Sequence, residues 1–436
     1  MDKISSGDTS WLLVATALVM LMTPGLAFFY AGMVRTKNVV STLYQNMMAL
    51  GVVGLVWAIC GYSLSFSGNS GGLIGDLNFA FLKGVGAEPN ADFAATIPHS
   101  LFMLFQCMFA VITPALISGA IAERIQIKAW LVFIALWSLF VYSPVAHWVW
   151  GTEGWIRNLG VLDFAGGAVV HITAGYSAVV AALVLGKRKH VNEHKPYDVG
   201  MVLLGTTLLW FGWFGFNGGS ALAANGLAVH AFGTTFLGSI SALVAWTFVD
   251  IFTKGKPNTV GACCAVVVGL VTITPAAGFV TFSSAILMGL LSGAICNFAI
   301  GFIKKKFASY DDTLDVFGCH GVGGTLGMLF TGIFASKAVN PAGADGLLYG
   351  NPGLLVSHII GTLGVIAASA IGTFLILKVV DLITPIRVSE TEEYQGLDVA
   401  CHGESINSNF EPAYHKDNHQ EEKSKSIGDE KIRKFA

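Results

Sequence analysis

The sequence predicts an all-α membrane protein of eleven transmembrane helices, built as an inverted five-plus-five repeat with the N-terminus outside and the C-terminus in the cytoplasm. Three observations lead there. Of the 436 residues, 54% are hydrophobic and 12% charged, about half the charged share of a soluble domain, so lipid is the solvent for most of the chain. The apolar residues gather into windows of about 20 or more, long enough to span as helices, whereas barrel strands would be about half as long and alternate in polarity. Two of those windows hold an ionisable ring, His171 in DFAGGAVVHITAG (163–175) and His320 in DVFGCHGVGGTLG (315–327).

The windows fall at 10–34, 39–66, 98–122, 129–150, 162–186, 199–217, 228–252, 258–280, 282–303, 315–336 and 353–380. The first has no small-residue cleavage site before residue 35 and is long enough to cross, so it reads as a retained helix. Orientation follows from the loops. One alternate set carries thirteen basic residues: Arg35, Lys37, Arg124, Lys128, Lys187, Arg188, Lys189, Lys195, Lys254, Lys256 and Lys304 to Lys306. The other carries only Lys83, Arg157 and Lys337, so the first set faces the cytoplasm.

Five helices per group is an odd number, which makes the second group run through the membrane in the opposite sense. The fifth and tenth windows each pair an aspartate with a histidine, Asp163 with His171 and Asp315 with His320. At 1.5 Å per residue the rings lie about 12 Å and about 7.5 Å inward of these carboxylates, so they meet only if the aspartates dip below the membrane surface. A lone intramembrane histidine is more often a packed polar residue bonded to a carbonyl; a matched pair points to a pore centre at the repeat interface. Glycines around both histidines suit close helix packing, which also permits a narrow conduit.

Other classes are excluded or disfavoured. Scattered basic residues give no nucleic-acid face. The seven cysteines form no CxxC or paired framework, and six lie in apolar segments as small hydrophobes. Two histidines without a third ligand are too few for a metal centre, so neither metal, cofactor nor enzymatic chemistry is expected. Residues 1–384 read as the transmembrane domain and 385–436 as a cytoplasmic tail. Within the tail, 385–406 contains Tyr394, Leu397 and Val399, enough to dock, whereas 407–436 is polar and charged, the composition of a disordered segment.

Seven separated segments in order resemble the ammonium transporter (Amt/Mep/Rh) family: TPGLAFFYAGMVRTKNV (23–39), FQCMFAVITPALISGAIAER (105–124), AHWVWG (146–151), DFAGGAVVH (163–171), GWFGFNGGSA (212–221), DVFGCHGVGG (315–324) and QGLDVACHGE (395–404). The likeness spans roughly residues 10–405 and is to Amt proteins rather than animal Rh proteins. It implies a multi-pass protein of the cell (cytoplasmic) membrane, a homotrimer with one pore per subunit, and ammonium or ammonia as cargo. By the same resemblance Trp150, Phe109 and Ser220 form an outer recruitment site, Phe109 and Phe216 a stacked gate, and His171 and His320 the pore, with Phe105 one turn from Phe109. Aromatic faces attract a small cation and a hydroxyl accepts its N–H, although most of the thirty Phe are expected to be packing or lipid-facing. Asp163 matches a carboxylate near the recruitment site. It reads as either a direct cation ligand or a helix cap, and the cap is preferred because tight binding would oppose release.

Solvation sets the expected mechanism: a bare cation is costly in an apolar pore and ammonia is not, so the entrance selects for deprotonation. Potassium has no proton to lose. The resemblance also implies a cytoplasmic PII-type signalling protein as partner, landing on the tail and on basic loops that include Arg35, Lys37, Lys187 to Lys189 and Lys304 to Lys306. The alternative function is an ammonium sensor or transceptor acting through such a partner.

Overall fold

The computed structural model describes residues 4–189, 195–307 and 310–407, and among these there are helices and turns but no β-strand. Ten described helices are long and apolar enough to cross a membrane: α1 Ser6–Met33, α2 Thr36–Phe66, α3 His99–Ile121, α4 Ile127–Asn158, α5 Gly167–Leu185, α6 Val199–Gly219, α7 Gly226–Lys254, α9 Phe282–Lys306, α10 Phe317–Phe334 and α11 Pro352–Ile383. Between α7 and α9 lies a shorter apolar helix, α8 Thr259–Ile273. The tail adds α12, Glu390–Gln395. Local chemistry explains where helices start: Ser5, Asp198, Asn225, Asn258 and Thr281 each accept a first-turn backbone N–H, capping α1, α6, α7, α8 and α9.

The eighth window, 258–280, is therefore only partly helix. At 15 residues α8 is about 22 Å long, short of a hydrocarbon core. It stops at Pro275, and residues 274–280 continue as buried turns in which Ala276, Ala277 and Val280 are fully enclosed. The Pro275 ring lies against Gly167, where a Cβ would sit 2.5 Å from it, and its carbonyl accepts the Phe164 N–H. The blunt end of α8 thus supports the start of α5.

Helix α1 packs closely on α6. A Cβ on Gly205 would come within 2.2 Å of the Phe29 amide nitrogen, and one on Gly32 within 2.6 Å of the Asp198 carbonyl, so neither contact admits a larger residue. Outward faces carry large apolar side chains in the open, Leu382 at 88% and Phe252 at 82% exposure among them, a surface that only lipid or another subunit can cover. The chain is a multi-pass membrane protein.

At one end the loops are tied by buried charges. Glu123 accepts Arg35 Nε at 2.9 Å and Arg188 Nη1 at 3.0 Å, and Arg188 also reaches Asp311 at 2.8 Å. Burial alone would push the Asp311 carboxyl up, but the bonds from Arg188 outweigh it and hold the group down at about 2. Arg124, fully buried, donates to the carbonyls of Ala120, Ala122, Gly186 and Asp311 and to Thr313 Oγ1. Arg35 and Arg188 are consequently not landing-surface residues, as their loop positions led us to expect; burial in this network removes them from solvent.

The tail packs against the same end. Backbone bonds join Gln126 to Ile386 and Val388 to Arg124. Leu397 is buried as expected, but Val399 is only half-buried and Tyr394 is 62% exposed, with Lys37 beside its ring. The anchors are instead carboxylates: buried Glu393 accepts Lys189 N and Arg387 Nη2, each at 2.6 Å, and buried Asp398 accepts Ser41 N at 2.8 Å. The segment read as disordered lies, apart from Asn407, outside the described residues.

Because Glu123 balances two buried guanidinium groups, Glu123→Ala should cost about 3–5 kcal/mol. Thermal unfolding in detergent measures it; an unchanged midpoint would mean that the network is not holding the loops.

Candidate conduction pathway

Both histidine-bearing helices begin the same way. The Asp163 carboxylate accepts four consecutive backbone N–H groups, from Gly166 (2.8 Å), Gly167 (2.6 Å), Ala168 (2.9 Å) and Val169 (3.2 Å). Gly166, at φ 112°, makes the turn that aims those amides at it. Helix α5 then opens with a π-helical turn, Gly167–Ile172, that contains His171. In α10 a π-helical turn, Phe317–Val322, contains His320.

The aspartate that caps α10 is not Asp315, the residue paired with His320 from the sequence, but Asp312. Its carboxylate accepts Val316 N at 3.0 Å and Phe317 N at 2.7 Å. Each capping aspartate stands eight positions before its histidine, 163 before 171 and 312 before 320. Asp315 itself adopts φ 59° and pairs with Lys304 at 2.6 Å. Burial, with the nearby charge of Asp315 adding to it, pushes the Asp312 carboxyl up to about 6 in spite of its backbone bonds.

Where α5 crosses α10, the backbones meet at Gly175, Gly321 and Gly324. A Cβ on Gly175 would lie 2.2 Å from the Gly321 nitrogen, and one on Gly324 would lie 3.1 Å from both Gly167 O and His171 Cβ. This close approach brings the buried rings of His171 and His320 together with Nδ1 to Nδ1 at 3.2 Å. A hydrogen bond there requires one Nδ1 to donate and the other to accept, so the paired rings carry opposite tautomers and one Nε2 is an acceptor while the other is a donor. His171 Nε2 is buried without a partner among the described residues. Beside the pair is a cavity of about 10 Å³, the size of one water-sized molecule, lined by Leu26, Ile112, Trp213, Phe216 and other apolar groups.

An aromatic column continues from the histidines. Phe216 lies 6.0 Å from the His171 ring, Phe109 covers Phe216 at 4.2 Å and 33°, and Trp150 meets Phe109 edge-on at 5.9 Å. Phe105 contacts Phe109 at 4.9 Å. Beyond them opens a vestibule of about 520 Å³ whose lining includes Trp150, Phe109, Ser220 and Asp163. Ser220 Oγ donates to Phe216 O at 2.8 Å, which leaves its lone pairs available, and Trp150 Nε1 donates to Asp163 O at 3.0 Å. At the other end a second vestibule of about 500 Å³ is lined by Asp312, Asp315, Lys304, Cys264 and Phe317.

The structure therefore places Trp150, Phe109, Ser220, Asp163, Phe216, His171 and His320 in one continuous series of contacts, whereas Asp315 lines the opposite vestibule. It adds Asp312 and Trp213, the latter stacked on His171 at 5.3 Å, which sequence reasoning missed. The recurring eight-residue spacing was the available signal for Asp312; for Trp213, one of ten Trp, the only signal was its place in the GWFGFNGGSA segment. Among the described residues no group of three or more His, Cys, Asp or Glu is placed to hold a metal.

A bundle of apolar helices with two vestibules and a buried aromatic and imidazole centre between them has the architecture of a membrane transporter. The sequence profile of the Ammonium Transporter Family matches residues 10–406, and the chain belongs to that family. It is similar to an ammonium transporter of Bacillus subtilis (strain 168), with 50% identity over 91% of this chain and 98% of the relative. Ammonium transporter Amt1 of Archaeoglobus fulgidus is 45% identical over 92% of this chain and 99% of that protein. Among solved structures, Mep2 of Saccharomyces cerevisiae aligns with a TM-score of 0.83 at 38% identity, covering 89% of this chain and 88% of that one. A sensor Amt protein aligns at 0.83 and 30%, covering 91% and 98%. Ammonium is thus the transported species.

If the two aspartates are equivalent caps, Asp163→Ala and Asp312→Ala should each lower stability by about 0.5–2 kcal/mol. Paired thermal melts test this; a loss confined to Asp163 would remove the equivalence.

Proposed function

We propose that this chain conducts ammonium through a single pore per subunit. The cation is recruited at Trp150, Phe109 and Ser220, loses its proton at the entrance, and crosses as ammonia past the Phe109 and Phe216 gate and the His171–His320 pair. The observation that carries this reading is the buried imidazole contact at 3.2 Å, beside an apolar cavity and 6.0 Å from the stacked phenyl rings. A bare cation in that setting forfeits tens of kcal/mol of hydration in the idealised limit, whereas ammonia gives up a few hydrogen bonds that the two Nε2 atoms, one donor and one acceptor, replace. Asp163 acts as a cap that adds negative potential to the vestibule. Its two oxygens already accept four amide N–H groups, which favours this role over direct gripping of the cation.

The same proposal includes eleven spans in two inverted groups of five, with α8 and its buried turns as the eighth, N-terminus outside and C-terminus cytoplasmic. The equivalent caps of α5 and α10 and the opposed vestibules support it. It also includes assembly as a homotrimer in the cytoplasmic membrane and inhibition by a PII-type protein. That partner would meet the tail and the exposed Lys187, Lys189 and Lys304 to Lys306. The second reading, an ammonium sensor acting through a partner, draws on the neighbour described as a sensor Amt protein. Current on ammonium addition to proteoliposomes tests conduction: a saturable current or flux is expected, and binding without flux would favour the sensor.

Trp150→Leu should raise the half-saturating ammonium concentration about fivefold through loss of a cation–π contact, and Ser220→Ala should shift it the same way. Wild-type concentration dependence in both would place recruitment elsewhere. For the tail, deletion of 385–436 should weaken partner binding or uncouple inhibition, whereas deletion of 407–436 should change little. Pull-downs with the two truncations decide it, and full inhibition of the shorter one would exclude the tail from the switch.

A further inference from the structure

Among the polar groups that line the outer vestibule, Gln106 has no part in recruitment by Trp150, Phe109 and Ser220. Gln106 lines that cavity, one helical turn before Phe109 on α3, and is only 9% exposed. Its Oε1 is buried and has no hydrogen-bond partner among the described residues. An amide oxygen left unmade at a buried position is costly, and each such atom in a folded protein calls for a reason. The vestibule around it supplies ring faces from Trp150 and Phe109 and one hydroxyl oxygen, Ser220 Oγ, already committed as a donor to Phe216 O. Ammonium carries four N–H donors and no acceptor, so one hydroxyl oxygen leaves most of them unanswered, and Gln106 Oε1 is a second neutral acceptor without a protein partner among the described residues.

We propose that Gln106 is a further binding and specificity residue of the outer site, whose side-chain carbonyl accepts an N–H from the recruited cation. The chemical class it selects is a small ammonium ion with N–H groups to donate. A neutral carbonyl improves binding without the second full charge that would hold the cation against release. The carbonyl has no protein partner to give up when cargo arrives, so its bond to the cation displaces none within the protein.

This inference rests on the transport reading, and the test separates the two. Full-length protein in proteoliposomes is assayed for ammonium flux against concentration, as wild type, Gln106→Leu and Gln106→Glu. Leucine keeps the bulk and removes the acceptor, and should raise the half-saturating concentration about fivefold to tenfold. Glutamate keeps an acceptor and adds charge, and should lower half-saturation while slowing maximal flux. A residue that merely packs the wall would behave differently: burying a charge there would impair the site, so both variants would shift half-saturation upward. Opposite shifts establish the assignment. Equal shifts, or none in either variant, overturn it even if wild-type flux is saturable, and absence of wild-type flux would overturn the transport reading along with it.

Discussion

The arrangement depends on how closely the backbones of α5 and α10 can approach. The two imidazoles meet at 3.2 Å because Gly175 leaves no Cβ between α5 and the Gly321 amide, and Gly324 leaves room for His171. A methyl group at Gly175 would prise the helices apart, and with them the shared N–H, while one at Gly324 would crowd His171 at 3.1 Å. The π-helical turns at Gly167–Ile172 and Phe317–Val322 contribute by re-aiming each ring relative to a regular helix. Asp163 and Asp312 then hold the wide starts of those turns, whose amides would otherwise lie buried and unpaired.

The surrounding protein encloses this centre. The stacked rings of Phe109 and Phe216 close one side, and Trp213 backs His171. Pro275 at the blunt end of α8 presses on Gly167, so a helix that is shorter than the bilayer serves as a stop for the structurally sensitive start of α5. At the opposite end the Glu123, Arg188 and Asp311 network ties the loops between helices, and the tail bonds to the same loops, with Glu393 accepting Lys189 N and Val388 N donating to Arg124 O. Arg387 donates to Leu185 O and Lys187 O at the end of α5. The tail is thereby in direct contact with the helix that carries His171.

Much of the fold was legible because its signals are strong and local. Apolar windows mark the long helices, and an ionisable ring within them marks His171 and His320. The aromatic residues were not legible from pattern, since Phe109, Phe216 and Trp150 look like any packed ring; only their motif context set them apart. Three features escaped for physical reasons. A π-helical turn adds one residue to a helix without altering its hydrophobicity, so sequence periodicity does not show it. Asp315 is the aspartate nearer to His320 in the chain, yet its carboxylate is taken by Lys304, and the one that accepts the first amides of the helix belongs to Asp312, three residues earlier. Apolar content suggested that Tyr394, Leu397 and Val399 would seat the tail, but the face they meet is polar, so Glu393 and Asp398 supply the main polar anchors while Tyr394 stays largely exposed.

On this reading the imidazole pair makes the pore a conductor of ammonia and a barrier to ions. The most direct measurement compares ammonium and potassium flux in proteoliposomes for the wild type, His171→Ala and His320→Ala. Ammonium flux without potassium flux is expected in the wild type, and in the variants either loss of ammonium flux or entry of potassium, with the folded assembly retained. Unchanged flux and unchanged discrimination in both variants would contradict it.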